Sequence, residues 1–301
     1  TTYRADADYT DGRRPDKVIF AKDLATDIKR RDFTVNGLAY SVVKREFKDY
    51  CGGLHDIEKK ILRTIGDPMA RFTEDGLRPI RGCRIAAKHR FTIEDKTREA
   101  MYACRHVTAR VAPERFYDEW RKTLTLKNKS AFWKNIFQAG IIGAFLPSIE
   151  NYATQNLNQN FFREIDSYRQ RNMASYAASV FYLLRVTDAN IQKQTLLETK
   201  FPTLQMRLAI SLLSSPLFTL EENLERFAFK KELAKIAKAE RIHHIRFFLA
   251  MREGKMRGEV KSADEITLFR KKIVGFYKSI RLLKDPLDFA DLTVNGVDIE
   301  H

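Results

Sequence analysis

The sequence predicts an α+β chain that is mostly α, a short mixed segment followed by a long helical body. Three observations carry this reading. Extended, β-compatible runs separated by turns fall before Asp56. Beyond it, helix starts and four-residue apolar spacings dominate. The chain has 301 residues, 44% of them hydrophobic, enough to bury a core in two or more sub-domains.

In the first segment, Thr1–Arg4 and Val18–Phe20 suit strands, with Asp11-Gly12-Arg13-Arg14-Pro15 as a turn between them. Leu24–Arg30 reads as a helix, Tyr40–Val43 and Glu46–Tyr50 as further extended runs, and Cys51-Gly52-Gly53 as their stop. Such short strands make an incomplete sheet. Asp67-Pro68 then starts a helix, the carboxylate as cap and the proline where no donor is lost. Thr73 offers a second start, with Glu74 and Asp75 complementing the positive end of the helix dipole. Thr92 with Asp95 resembles a capping box ahead of Lys96–Arg105. Pro113 opens a helix through Lys122, with Phe116, Trp120 and Leu124 at four-residue spacing, and Ser130–Gln138 stops at Gly140. From Asn151 onward only helices are expected: Phe161–Arg171, Ser175–Val186, Ile191–Thr199, Leu204–Leu213, Leu220–Phe229, Glu232–Arg252 and Ala263–Leu283. No fixed-period repeat runs through them.

The formal charge of +15 favours a polyanionic partner. Nucleic acid comes before an anionic membrane, because Lys and Arg release counterions from phosphates and no Lys-rich amphipathic segment with a Trp/Phe face stands out. Lys230–Lys261 is the most basic part of the second half. It reads equally as a track for an RNA backbone and as a solvated face with Glu232, Glu240 and Glu253 interspersed. Cys51, Cys83 and Cys104 lack CxxC spacing, which argues against a disulfide framework or zinc site and suits a reducing, cytoplasmic compartment. No signal peptide is visible, and no apolar run approaches roughly eighteen residues, so no membrane span is expected. The chain starts at Thr1 and reads as a processed, trimmed or partial product.

Two clusters carry chemistry. Arg30-Arg31-Asp32-Phe33-Thr34-Val35-Asn36 sets cations, a carboxylate and a carboxamide hard against an apolar run. Arg31 suits a phosphate, Asp32 a ribose hydroxyl, and Asn36 buried backbone or a sugar; the bland alternative is a polar junction between a helix and a strand. On the helix expected from Thr73, Asp75, Arg78, Arg81 and Arg84 recur every three residues beside an apolar stripe of Leu77, Ile80, Cys83 and Ala87. A carboxylate accepts from exocyclic amines and a guanidinium donates to ring nitrogens and carbonyl oxygens, so the stripe suits a base. Arg81 and Arg84 are placed to meet a triphosphate. A salt-bridged surface helix is the alternative. The pair His243-His244 does not make a metal site, since neighbours on a helix point about 100° apart.

These clusters, with Asp11–Pro15, Gly52-Gly53, Ile61-Leu62-Arg63-Thr64-Ile65-Gly66, Arg71-Phe72, the Glu74-Asp75-x-x-Arg78 spacing and Glu114-Arg115, resemble the class II tRNA nucleotidyltransferases. These are the CCA-adding enzymes and the related bacterial poly(A) polymerases. The likeness is dense over residues 1–125 and returns at Leu292–Asp298. It implies a palm-like nucleotidyltransferase head, of which 1–55 is the C-terminal part, then a helical neck over 56–125, a body over 126–260 and the start of a tail over 261–301. It implies that Asp75 and Arg78 read the base edge, that Arg31, Arg81 and Arg84 bind the triphosphate, and that Asp32 contacts the ribose. Glu114 and Arg115, with Glu74, support the base-reading helix. The implied activity is addition of CMP and AMP, from CTP and ATP, to tRNA 3′ ends. An A-adding enzyme or poly(A) polymerase is the alternative within the family, and a non-catalytic RNA-binding protein the alternative outside it. The resemblance also implies Mg²⁺ held by a carboxylate pair upstream of Thr1. Asp6-Ala7-Asp8 has the right spacing, but it falls at the entrance to the family's flexible loop and no Gly-rich turn precedes it. No catalytic residue or metal ligand is therefore assigned within the chain, and the chain alone is expected to be at most vestigially active. Pro79 is expected to kink the base-reading helix, Gly82 to loosen it where the family has Ala, and Cys51 stands where the family has Phe.

Overall fold

The computed structural model describes residues 4–6, 18–20, 23–168, 170, 172–220 and 224–282. The expected turn at Asp11–Pro15 and the Leu292–Asp298 motif lie outside the described residues, as do the start of the first strand at Thr1 and the last helix's end at Leu283. The chain divides into two compact units, one holding the described residues of Thr1–Phe162 and Leu184–Pro202, the other those of Arg163–Leu183 and Thr203–His301. No described helix is long and apolar enough to cross a membrane.

The first unit opens on two antiparallel pairs, β1 (Arg4–Asp6) with β2 (Val18–Phe20) and β3 (Leu38–Ser41) with β4 (Glu46–Asp49). Between the pairs lies α1 (Leu24–Lys29), capped by Asp23, whose side chain accepts from the Thr26 amide. The turn after β4 is organised by Asp49, which accepts from the amides of Cys51, Gly53 and Leu54. It leads into α2 (Gly53–Glu58), where a Cβ at Gly53 would lie 2.2 Å from the Thr34 carbonyl oxygen. Strands do not stop at Asp56. β5 (Ile61–Leu62) pairs in parallel with β6 (Thr92–Ile93), burying Leu62 and Ile93. Two-residue strands are too short to leave an alternating signal in the sequence.

Asp67 caps α3 (Pro68–Glu74) as expected. The next start is not at Thr73, whose hydroxyl donates within α3 to the Met69 carbonyl. α4 runs over Arg78–His89, so Asp75 lies outside it in extended backbone, and the four-member stripe reduces to Arg78, Arg81 and Arg84. Pro79 falls in the first turn of α4, where no intrahelical donor is lost, and α4 continues unbroken to His89. Gly82 does not loosen the helix either. A Cβ there would come 2.7 Å from both Phe33 Cζ and Met101 Cε, so the bare backbone is a notch that seats the Phe33 ring. The Leu77, Ile80, Cys83 and Ala87 stripe is buried.

Thr92 sits in β6 and caps nothing; α5 (Asp95–Ala103) begins after Glu94, whose carboxylate accepts from Thr97 Oγ1 at 2.8 Å. Then follow α6 (Arg105–Thr108), α7 (Pro113–Lys122) and α8 (Lys129–Gln138), with Gly140 at positive φ as the expected stop. α8 packs on α4, and Asn135 and Asn128 donate to the Cys83 and Ala87 carbonyls. Trp120 meets Trp133 edge to face and Phe116 stacks on Phe145. α9 (Ile142–Phe145), α10 (Glu150–Asn156), the start of α11 (Gln159–Ser167) and, later, α13 (Ala189–Glu198) complete this unit.

The second unit is helical: the end of α11, α12 (Met173–Leu183), α14 (Thr203–Leu213), α15 (Arg226–Ala234), α16 (Arg241–Gly258) and α17 (Ala263–Leu282). The expected helices Leu220–Phe229 and Glu232–Arg252 are redrawn. The chain turns at Pro216–Thr219, and the second run breaks between Ala234 and Arg241. Buried Arg241 Nε donates to the Leu233 and Ile236 carbonyls, closing α15. The apolar spacing passes unbroken through this turn because Leu233, Ile236 and Ile245 all enter one core cluster with Phe229, Phe248 and Ile273. In the basic stretch, Glu232 pairs with Lys235 and Lys255 with Glu259, while Glu253, expected on a solvated face, is buried and pairs with Arg257 and Arg270.

Gly82→Val is expected to lower stability by ~1–3 kcal/mol through overpacking against Phe33 and Met101, read as a fall in the urea midpoint at unchanged slope.

Candidate nucleotide-binding site

A short helix ends with open carbonyls, and α1 ends against two guanidinia from distant sequence. Arg71 Nη2 donates to the Lys29 carbonyl at 2.6 Å and Arg78 Nη2 to the Arg30 carbonyl at 3.2 Å. Both arginines are clamped by Glu74, through Arg71 Nη1 at 2.8 Å and Arg78 Nη1 at 2.7 Å. Arg78 Nη1 also donates to the Arg71 carbonyl, and its side chain is only 8% exposed. On the same helix end, buried Asp27 holds Arg30 at 2.6 Å and Arg31 at 2.9 Å. Arg31 Nη1 reaches the Asn36 carbonyl at 2.8 Å.

The Phe33 notch sets the next contact. With that ring against Gly82, and Phe33 bridged to Thr64, Asp32 is drawn beside Arg81. Asp32 Oδ1 accepts from the Phe33 amide at 2.9 Å and from Asn36 Nδ2 at 3.0 Å. Its Oδ2 lies 2.9 Å from Arg81 Nη2, an ion pair by distance, yet it receives no aligned hydrogen bond and is buried. The charge is balanced while an acceptor stays unused.

Asp75 is placed by the turn before α4. Its Oδ1 accepts from the Leu77 amide at 3.0 Å, and Oδ2 lies 3.3 Å from Arg115 Nη2 on the first turn of α7. Gly76 lets this turn approach the Val107 carbonyl, which a Cβ would meet at 2.7 Å. Glu114 is exposed on that same first turn. Arg84 takes another direction, to buried Glu119 at 2.5 Å, which also accepts from Lys122 Nζ at 2.7 Å. Burial opposes ionisation of Glu119 most strongly, but the hydrogen bonds and charges of Lys122 and Arg84 together hold its carboxyl below the usual glutamate value.

Arg31, Asp32, Asn36 and Arg81 therefore come together, Asp75 joins Arg115, and Arg78 joins Glu74 and Arg71. Sequence reasoning passed over Asp27, although it precedes Arg30 and Arg31 by three and four residues on a helix. It also passed over Glu119, whose partner is 35 residues away and leaves no local signal.

Among the described residues, no group of three His, Cys, Asp or Glu side chains is placed to hold a metal ion. The side chains described do not fit the Mg²⁺ implied by resemblance, and no step is derived through it. Of Asp6-Ala7-Asp8, only the Asp6 backbone in β1 is described. His244 is buried, 3.0 Å from Ser211 Oγ through Nε2 and 2.9 Å from Ser215 Oγ through Nδ1, so both ring nitrogens are engaged.

Residues 1–63 match the poly A polymerase head domain, and 90–152 match the probable RNA- and SrmB-binding site of polymerase A. Over 185 residues the chain is 38% identical to the CCA-adding enzyme of Bacillus velezensis, covering 61% of this chain and 45% of that enzyme. Over these stretches the chain resembles the poly(A) polymerase and CCA-adding enzyme family. The family's CCA-adding enzyme from Lactococcus lactis subsp. lactis is 35% identical over 187 residues, covering 59% of this chain and 44% of the enzyme. The chain thus spans about half the length of the curated relatives it matches. The crystal structure of the Bacillus stearothermophilus CCA-adding enzyme in complex with CTP superposes with a TM-score of 0.74, covering 99% of this chain and 67% of that one. At 21% identity this is a likeness of fold.

Because the folded Glu119 carboxyl sits below its ordinary value of 4.5, its contribution to stability is complete above that pH and is lost as pH falls through the lower folded value. Glu119→Gln is expected to flatten this part of the stability–pH curve below about pH 4.5, measured by urea unfolding across pH.

Proposed function

We propose that this chain carries the nucleotide pocket of a template-independent RNA nucleotidyltransferase that adds CMP and AMP, from CTP and ATP, to tRNA 3′ ends. The observation that carries the reading is the Arg31–Asp32–Arg81 cluster, built in a segment whose relatives are CCA-adding enzymes. Half-exposed Arg31 and Arg81 offer guanidinia to the triphosphate. Asp32, held between Asn36 and Arg81, is the residue assigned to a ribose hydroxyl. Asp75 and Arg78 read the base edge, Asp75 with the oxygen that Arg115 approaches, and Arg78 with the N–H groups left beyond Glu74 and the two carbonyls. Held this tightly, the pair acts as a preorganised template, since its donors and acceptors need no rearrangement on binding. Arg84, its charge taken by Glu119, braces α4 against α7, and Arg115 holds the turn before α4 through Asp75. In this reading residues 1–55 belong to the head, 56–125 to the neck, 126–260 to the body and the remainder to the tail, with the +15 charge drawing in RNA.

Labelled CTP and ATP supplied with a tRNA lacking its 3′ CCA test this in the protein expressed from its complete reading frame. Addition of two C and then one A is expected. Incorporation of ATP alone selects the A-adding or poly(A) alternative, and incorporation of neither refutes the reading. Arg81→Ala is expected to weaken CTP and ATP equally, by ~1.5–3 kcal/mol, the worth of a hydrogen bond to a charged group. Asp75→Asn keeps the Leu77 contact but alters the base-facing atoms, and should shift the CTP/ATP preference by ~1–3 kcal/mol; unchanged discrimination in a titration of both nucleotides would remove Asp75 from the base.

A further inference from the structure

Arg71 has no part in the pocket proposed above, yet its three guanidinium nitrogens engage three different partners. Nε donates to the Ile65 carbonyl at 3.0 Å, and Nη2 to the Lys29 carbonyl at 2.6 Å. Nη1 donates to both oxygens of Glu74, at 3.0 and 2.8 Å. Lys29 is the last residue of α1, Glu74 the last of α3, and Ile65 lies in the segment between β5 and α3. A guanidinium can serve acceptors from three directions because its donors diverge in a rigid, planar fork. The side chain is 20% exposed, so it is largely enclosed by these partners.

Arg71 reaches Arg78 by two routes. Its Nη1 shares Glu74 Oε2 with Arg78 Nη1, at 2.8 and 2.7 Å, and its own backbone carbonyl accepts from Arg78 Nη1 at 3.0 Å. Glu74 is 34% exposed, and a carboxylate so placed keeps rotamer freedom unless something holds it. By binding Oε1 as well as Oε2, Arg71 fixes the plane of that carboxylate and hence the direction from which Arg78 meets it. The two guanidinia then close successive carbonyls, Arg71 that of Lys29 and Arg78 that of Arg30. The phosphate side has supports of its own. Arg31 is held by Asp27 and the Asn36 carbonyl, and Arg81 lies against Asp32. None of these three contacts passes through Arg71.

Resting on the reading of Arg78 as a base reader, we propose that Arg71 is a positioning residue for nucleotide choice. It orients Arg78 through Glu74 and does not itself touch the nucleotide. Lysine is a poor substitute, because an ammonium presents its donors from a single point and cannot span these acceptors. The test compares the protein expressed from its complete reading frame with its Arg71→Lys variant. The first readout is the ratio of kcat/KM for CTP and ATP, on a tRNA lacking its 3′ CCA and on one ending in CC. The second is inhibition by inorganic tripolyphosphate, which offers the phosphate contacts without a base. In Arg71→Lys the advantage of the preferred nucleotide is expected to fall about tenfold on both tRNAs, the scale of a base contact, with tripolyphosphate inhibition unchanged. Arg78→Lys alone and combined with Arg71→Lys adds a second check. Residues acting as one unit are non-additive, so the double variant should discriminate no worse than Arg78→Lys alone. An unchanged ratio in Arg71→Lys would overturn the proposal. So would an equal loss of CTP, ATP and tripolyphosphate, which marks a merely structural arginine. Wild-type protein that incorporates neither nucleotide, or both alike, refutes the pocket itself and this inference with it. The two failures are therefore told apart by whether wild type or variant shows them.

Discussion

The first unit depends on how the end of α1 is closed. That helix is six residues long, too short to stand alone in water, and its last carbonyls are met by Arg71 and Arg78 from beyond residue 70. Glu74 holds both guanidinia at once, so one carboxylate fixes two donors and the two donors fix the helix end. Asp27 on α1 then aims Arg30 and Arg31. Asp27 and Arg78 are buried, and charges so buried are costly when unpaired, so removing a partner leaves them uncompensated. The network is therefore better understood as setting position than as adding stability.

α4 shows the same logic along one helix. Its three arginines each meet an acid from a different element: Glu74 from α3, Asp32 from the loop after α1, and Glu119 from α7. The helix acts as a hub that aligns three otherwise separate pieces, while Gly82 on its buried side accepts Phe33 and so brings Asp32 within reach of Arg81. Close apolar packing on one face thus places the polar chemistry on the other. The second unit uses buried acids differently, with Glu253 gathering Arg257 and Arg270 around a cavity rather than across a helix hub.

Much of this was legible beforehand. Asp67 with Pro68, Pro113 and Gly140 mark helix ends where expected, since caps and prolines act through local backbone chemistry. The apolar stripe of α4 is buried as its spacing implied. Local rules failed where a distant partner had the last word. Thr73 had the chemistry of a cap but spent its hydroxyl inside α3, and Thr92 was claimed by a strand partner at Ile61. The periodicity from Glu232 to Arg252 could not show the break that Arg241 seals, because residues on both sides of the turn enter one core.

By itself, then, the sequence determined the helical character, the basic charge, the motifs that resemble the family and the set of polar residues proposed for a nucleotide. The tertiary structure alone decided which of them meet. It parted Asp75 from the helix of Arg78 and spent Arg84 on Glu119. It also turned Gly82 and Pro79 from apparent weaknesses into a packing notch and an ordinary first-turn proline. The reason is physical: propensity and periodicity act over a few residues, whereas the pairing of a buried charge is settled by whichever opposite charge the fold brings within about 3 Å.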